Sequence, residues 1–373
     1  MSEEKKVNRR DYLKYTGAAI GGLVVGGALG YLTAPGKVIE KTITAPGVAA
    51  TTTVEKTVTI TAPPTPVKPK YTFYMVTHGT PGCPFWTVVQ RGGEEAAKLY
   101  GVKLVYLCPE VFDVKKVAEL LESAVAAKPD GLVCPITDPT VFEPILRKAV
   151  EEGIPFICHN VADLRPIPEK EKIPYMAYIG EDSYKCGYVL MKHTIEKMKK
   201  KGVKPVHVLF GVHEAGNVVH ETRAQGSIDA LKEEYPEATY EKVIVTYDLT
   251  KVKEITKSYL AAHPETNIIS NFNSVVGYTS YLAAKEAGRK PGVDIFCHTH
   301  DLSPELVEPI KKGEYAGCVG QQQYLQGYLP VVFLYLYKEH GFKPVGTIST
   351  GPFIADETNV DEVAERVKAG YGF

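Results

Sequence analysis

Residues 71–107 read YTFYMVTHGTPGCPFWTVVQRGGEEAAKLYGVKLVYL, and the fold is decided inside them. YTFYMVT is a short apolar run rich in aromatic and β-branched residues, broken by a Gly/Pro loop, as a strand buried on both faces requires. From Phe85 to Tyr100 the apolar residues fall at helical spacing, and Gly101 supplies the stop. KLVYLC then starts a second strand. Strand, helix and strand in so short a span form a parallel unit, because two parallel strands need a crossover between them.

The same alternation continues outward. Val114, Val117, Leu120, Leu121 and Ala124 mark one face of a helix over Val114 to Ala127. GLVCPI, PFICHN, AYIG, VHVLFG, KVIVTY, NIISNF and DIFCHT read as further strands with helical stretches between them. The predicted fold class is therefore α/β, with two doubly wound parallel-sheet lobes. A length of 373 residues suits two domains beside the ends. Hydrophobic residues at 44% are ample for two cores, and a net charge of -1 provides no footprint for nucleic acid.

The N-terminal part differs in composition. NRRDYLK (Asn8 to Lys14), followed by a Gly/Ala/Val/Leu run from Thr16 to Leu32, resembles a twin-arginine export signal. A run of about 17 apolar residues at ~1.5 Å each falls just short of a ~30 Å bilayer core, so residues 1–34 read as either a cleaved signal or a retained membrane anchor. Both readings place the remainder outside the cytoplasm, in the periplasm or on the outer face of the cell membrane. Residues 35–70, ending TTTVEKTVTITAPPTPVKPK, have prolines that break ladders and no apolar partner face, and are expected to be an extended tether.

In doubly wound sheets ligands bind beyond the carboxyl ends of the strands. The residues there are HGTPGCPFW (His78 to Trp86), His159 and Asn160, GVHEAGN (Gly211 to Asn217), Tyr247, NFNS around Asn273, HTHD (His298 to Asp301) and GQQQ (Gly320 to Gln323). Taken with DGLVCPITDP, IGEDSYKCG, TRAQGS, AAHPETNIISNFN, HDLSPELVEPIKKGEYAG and QQQYLQGY, their order and spacing resemble the ribose-binding and related sugar-binding proteins of periplasmic-binding-protein type 1. The resemblance runs from about Tyr71 to Pro352.

It implies a two-lobed clamp with a three-stranded hinge, crossing near Gly180 to Asp182, just after Gln321 and near Gly351. Lobe one is then 71–180 plus 322–349, and lobe two 181–321 plus 350–373. The implied function is an extracytoplasmic solute-binding protein of an ABC importer, a monomer that binds a sugar or polyol and delivers it to permease subunits. A sugar offers flat C–H faces and a rim of hydroxyls, which call for aromatic plates and planar polar groups. The resemblance places Phe85, Trp86 and Tyr247 as plates and Arg223, Asn273, Asp301 and Gln321 as the polar clamp. His159 and Asn160 stand where ribose binders have an Asp-Arg pair, and Cys83 where they have Asn, which argues against ribose itself. HEAGN resembles one branch of sugar-type binders and adds Glu214 and Asn217.

Competing readings are set against these residues. Phe85 and Trp86 begin a helix and could be core, and Asn273 and Gln321 could be helix caps. His298, His300 and Asp301 look like a metal trio, but in a strand the two histidines share a face that Asp301 does not, so no metal and no cofactor is expected. The seven cysteines lie singly with no CxxC, which disfavours a zinc or redox site. A dinucleotide enzyme would need GxGxxG where this chain has HGTPGCPFW, and no nucleophile and base stand at recognisable spacing, so no catalysis is expected. A repressor of similar clamp would need a helix-turn-helix in place of the tether. An exported sensor of a furanose-like or nucleoside ligand, without a transport role, would look identical.

Overall fold

The computed structural model describes residues 68–111, 113–344 and 346–373. The export segment read at 1–34 lies outside the described residues, as does the tether up to residue 67. No helix among the described residues is long and apolar enough to cross a membrane.

The first sheet contains β1 (Thr72–Val76), β2 (Lys103–Leu107), β3 (Gly131–Cys134), β4 (Phe156–His159), β5 (Tyr178–Glu181) and β11 (Thr347–Gly351). Its order is β11-β5-β4-β3-β1-β2 and every pair is parallel. The second contains β6 (His207–Val212), β7 (Thr239–Ile244), β8 (Thr266–Asn271), β9 (Phe296–His300), β10 (Gly317–Gly320) and β12 (Phe353–Ala355), in the order β12-β10-β9-β8-β6-β7. There only β12 runs antiparallel, against β10. The helices are α1 (Pro84–Tyr100), α2 (Val114–Ala126), α3 (Pro139–Glu151), α4 (Ser183–Lys200), α5 (Val218–Glu234), α6 (Leu249–Ala262), α7 (Ser274–Glu286), α8 (Pro304–Lys311), α9 (Gln323–His340) and α10 (Val360–Lys368).

Alternation along each strand feeds a core on either face. On β1, Phe73 and Met75 pack with Trp86, Val89, Val331 and Leu334, while Val76 packs with Leu121, Phe142 and Leu146 on the other side. On β6, Leu209 faces one cluster and Val208, Phe210 and Val212 another. Each such side chain contributes roughly 1.5–3 kcal/mol when fully buried. This burial on both faces is why the strands read as continuous apolar runs rather than as alternating ones.

After β5 the chain enters the second sheet's layers, where α4 packs on α5. It returns with α9, which packs on α1, and crosses again between β11 and β12. The two helix pairs touch backbone to backbone. A Cβ on Gly327 would lie 1.8 Å from the Val89 carbonyl oxygen, and one on Gly187 would lie 1.9 Å from the Arg223 carbonyl oxygen.

Two departures from the sequence reading have a common cause. The strand expected at KVIVTY lies over Thr239–Ile244 instead, and β11 and β12 were not anticipated. All three are edge strands; β7 is mostly exposed, so partner register set its limits and apolar content did not.

Candidate functional site

The carboxyl ends of strands from both sheets open on one cavity of about 120 Å³. It is lined by Phe85, Trp86, Asn160, Glu214, Asn217, Arg223, Tyr247, Asn273, Asp301 and Gln321, and also by His78, Cys83, Val161, His213, Val219, His220 and Phe272. Of the eleven residues expected to bind ligand, ten therefore line this cavity and one does not. His159 lies behind the wall, fully buried, with its ring 5.9 Å from that of Trp86. Its Nδ1 is 2.9 Å from the Gln326 carbonyl oxygen, which can only accept, so Nδ1 carries the proton. Burial depresses this imidazole to about 4 and keeps it neutral.

The aromatic wall comes from the first turn of α1, where Pro84 at the helix start fixes the entry. Phe85 and Trp86 meet edge to face at 5.1 Å, and His78 meets Trp86 at 4.7 Å. Trp86 serves the core as well as the cavity, being only 6% exposed. On the other side Tyr247 is half exposed, beside His213 at 5.3 Å between ring centroids.

Arg223 is buried, and its charge is matched within the protein. Its Nη2 lies 2.7 Å and its Nε 2.8 Å from Glu181 Oε1, while Nη1 donates to the Phe272 carbonyl at 3.3 Å. Ser183 donates to the same carboxylate oxygen at 2.7 Å. Glu181 was not picked from the sequence. It ends β5 at the passage between sheets, 42 residues from Arg223, and no local pattern announces that contact.

Asp301 has φ 63, a left-handed conformation that aspartate tolerates better than most residues. Gln321 donates to both its oxygens at 3.3 Å and Gln323 to Oδ1 at 3.0 Å. Burial pushes its carboxyl up to about 7, with Glu181 adding to the rise, against the pull of Arg223 and the two amides. Asn273 is a helix cap that also lines the cavity. Its oxygen caps α7 by accepting from the amides of Val275 and Val276, and its NH₂ donates to Tyr247 Oη at 3.2 Å on the cavity side. Asn217 likewise caps α5 through the Val219 amide and donates to Glu214 Oε2 at 2.5 Å.

Beneath the cavity Gln326 ties the crossing segments together. Its NH₂ donates to the Gln321 carbonyl at 2.9 Å and to Thr350 Oγ1 at 3.1 Å, and its oxygen accepts from Asn160 at 3.0 Å. Gln322 donates to the Thr350 carbonyl at 2.8 Å, and Gln323 accepts from the backbone of the last residue, Phe373, at 2.8 Å. The run QQQYLQ is thus a polar knot, a role its composition does not disclose.

Among the described lining residues Arg223 is the single Lys or Arg. Burial holds His78 and His213 near about 3 and His220 well below its usual range, so these rings are neutral. With Glu214 and Asp301 facing the same space, the cavity suits a neutral, hydroxyl-rich molecule or a cation better than an anion. The trio His298, His300 and Asp301 does not converge: His298 Nδ1 bonds Thr194 at 2.6 Å, His300 packs near Phe272 and Asp301 faces the cavity. All seven cysteines are free, five of them buried.

The periplasmic binding protein domain profile matches residues 73–341. The xylose/arabinose-binding protein of Sulfolobus acidocaldarius is 24% identical over 280 residues, covering 73% of this chain and 67% of its own. The galactofuranose-binding protein of Escherichia coli is 26% identical over 262 residues, covering 67% and 78%. Among solved structures, a carbohydrate transporter protein from Acidothermus cellulolyticus, in complex with myo-inositol, superposes with a TM-score of 0.71 at 29% identity, over 81% of this chain and 100% of its own.

Proposed function

This chain belongs to the periplasmic binding protein family, and we propose that it is the extracytoplasmic solute-binding protein of an ABC importer, holding a sugar or sugar-like polyol and delivering it to permease subunits. Members of the family are substrate-binding proteins of transporters, and this chain is a binding protein rather than an enzyme. One observation carries the sugar reading: aromatic faces and planar polar groups from the strand ends of both sheets meet in one small cavity with a single matched cation. Phe85, Trp86 and Tyr247 would cover the apolar faces of the ring. Arg223, Asn273, Asp301, Gln321, Asn160, Glu214 and Asn217 would take its hydroxyls, with His159 holding Trp86 from behind. The relatives that bind pentoses, a furanose and an inositol are consistent with such a ligand. Residues 71–180 plus 322–349 and 181–321 plus 350–373 would act as the two bodies of a monomeric clamp closing by a hinge motion. Export by a twin-arginine-like signal, with or without retention of the segment in the membrane, completes the proposal.

The test is a thermal-shift panel of pentoses, hexoses, inositols and other polyols, nucleosides and amino acids. A ligand at ~100 Kd adds about 2.7 kcal/mol, a shift of several degrees. A rise with one sugar or polyol supports the reading. A rise with nucleosides or amino acids alone leaves the family intact and removes the sugar.

The same ligand should bind in a pH-dependent way. A hydroxyl donating to Asp301 needs the carboxylate form, and burial has raised this group to about 7 before ligand arrives. Binding then expels a proton, so Kd is expected to rise toward tenfold per pH unit below pH 7. The sign for the unliganded fold is opposite to that of an ordinary ion-paired aspartate: because the folded value is raised from 3.8 to about 7, the Asp301 contribution to stability is fully present below about pH 4 and is lost as pH rises from there through 7. Titration calorimetry from pH 5.5 to 8 checks the binding slope. A flat profile for the wild type, matching that of Asp301→Asn, would remove Asp301 as the acceptor.

A further inference from the structure

We propose that the second-sheet wall of the cavity is a binding site for a divalent transition-metal ion of the zinc class, held by His213, Glu214 and His220. One ligating atom from each lies within 4.8 Å of the other two. The grouping follows from the local fold: His213 and Glu214 leave the end of β6, the loop turns through Gly216 at φ 76, and His220 returns in the first turn of α5. The two imidazole centroids are 4.3 Å apart.

Two further observations point to a ligand. Nδ1 of His213 and Nδ1 of His220 are buried without a hydrogen-bond partner, and His220 is only 4% exposed. A buried polar atom without a partner is destabilising, so a pair of them on one wall calls for an occupant. Glu214 is also held in place, because the Asn217 amide donates to Oε2 at 2.5 Å, which leaves the other oxygen free of that bond. A donor that orients a ligating carboxylate in this way is the usual outer support of a metal site.

The donor set has the right chemistry. Two neutral imidazoles and a carboxylate make a three-ligand zinc set with a coordination position left open, and here all three residues line the cavity. A neutral imidazole keeps one ring nitrogen as a lone-pair donor, and Nδ1 of each ring makes no hydrogen bond that would occupy it. Arg223 repels a cation, but Glu181 sits 2.7 Å from it and offsets its charge. Because all three residues line the cavity, and on the reading that a sugar or polyol binds there, hydroxyls of that ligand would be within reach of a metal held by them. A second cluster, His207, Glu241 and His263, lacks these features, since both nitrogens of His207 already bond Thr239 and Tyr259 at 2.6 Å.

The metal itself is the probe, so this site is tested apart from the sugar reading. Tag-free full-length protein, stripped with a chelator, is titrated with Zn²⁺ against a chromophoric competitor, and with Co²⁺ while visible absorption is followed. One equivalent of Zn²⁺ and a tetrahedral-type Co²⁺ spectrum are expected. His213→Ala and His220→Ala should each weaken binding by ~10-fold or more. Circular dichroism reports whether these variants fold, and Glu214→Gln, close in shape, should weaken Zn²⁺ without unfolding the chain. No uptake by the wild type overturns the proposal. So does uptake that survives in folded His213 and His220 variants, or that disappears only in His207→Ala/His263→Ala.

Discussion

Arg223→Ala is expected to lose about 3–5 kcal/mol of stability and to weaken the cavity's ligand by ~10- to 100-fold. The two losses have different origins. Affinity falls because the one guanidinium lining the cavity, and any charge-assisted bond it gives the ligand, disappears. Stability falls because Glu181 is left 3% exposed with no counter-charge, and its Oε2 already lacks a partner. Replacing the partner as well separates them: in Arg223→Met/Glu181→Leu the unpaired charge is gone, so most of the stability should return while the ligand stays weakly bound. Denaturant midpoints with ligand titrations on both variants make the comparison. A single variant as stable as wild type would mean that the pair is not buried, and full affinity in the double variant would remove Arg223 from the site.

Gly327→Val should destabilise the fold by at least about 3 kcal/mol, the upper end for overpacking. Most inserted methyl groups are accommodated by a rotamer change, but here the obstacle is backbone. The new Cβ would stand 1.8 Å from the Val89 oxygen and 3.0 Å from the Gly93 nitrogen, so α9 and α1 must move apart. Because α1 presents Phe85 and Trp86, that displacement also opens the aromatic wall. Gly101→Ala is the control. It carries a left-handed φ of 64 but has nothing within 4 Å of the added carbon, so it should cost only about 1 kcal/mol. Equal midpoints for the two variants would contradict close packing of these helices.

These residues show what was legible and what was not. Phe85, Trp86, Asn273 and Asp301 lie in segments that follow strands, whose ends are visible wherever an apolar run stops, and the family resemblance singled them out within those segments. His78 and His213 stood in the same quoted segments, HGTPGCPFW and GVHEAGN, and their place directly after β1 and β6 was the available signal. His220 carried none, being one polar residue in a helix whose faces are nearly balanced. Glu181 and Gln326 were invisible for a similar reason: an acidic residue after AYIG and an amide in QQQYLQGY look like ordinary surface residues until their partners, 42 and 166 positions away, are known.

By itself the sequence determined the class of the molecule: strands and helices in alternation, parallel sheets covered on both faces, and a family resemblance spread over the whole globular part. The first two depend on short apolar runs, on the 3.6-residue helical period and on turn residues, all of which are local, and the resemblance depends on the order and spacing of quoted motifs along the chain. Only the tertiary structure decided which strand ends share a cavity, that Arg223 is answered by Glu181, that His159 stands behind Trp86, and that His213, Glu214 and His220 form one group. Each is a contact between segments brought together by the crossings between two sheets. A side chain's chemistry is set by its neighbours in space, and those are chosen by the packed backbone.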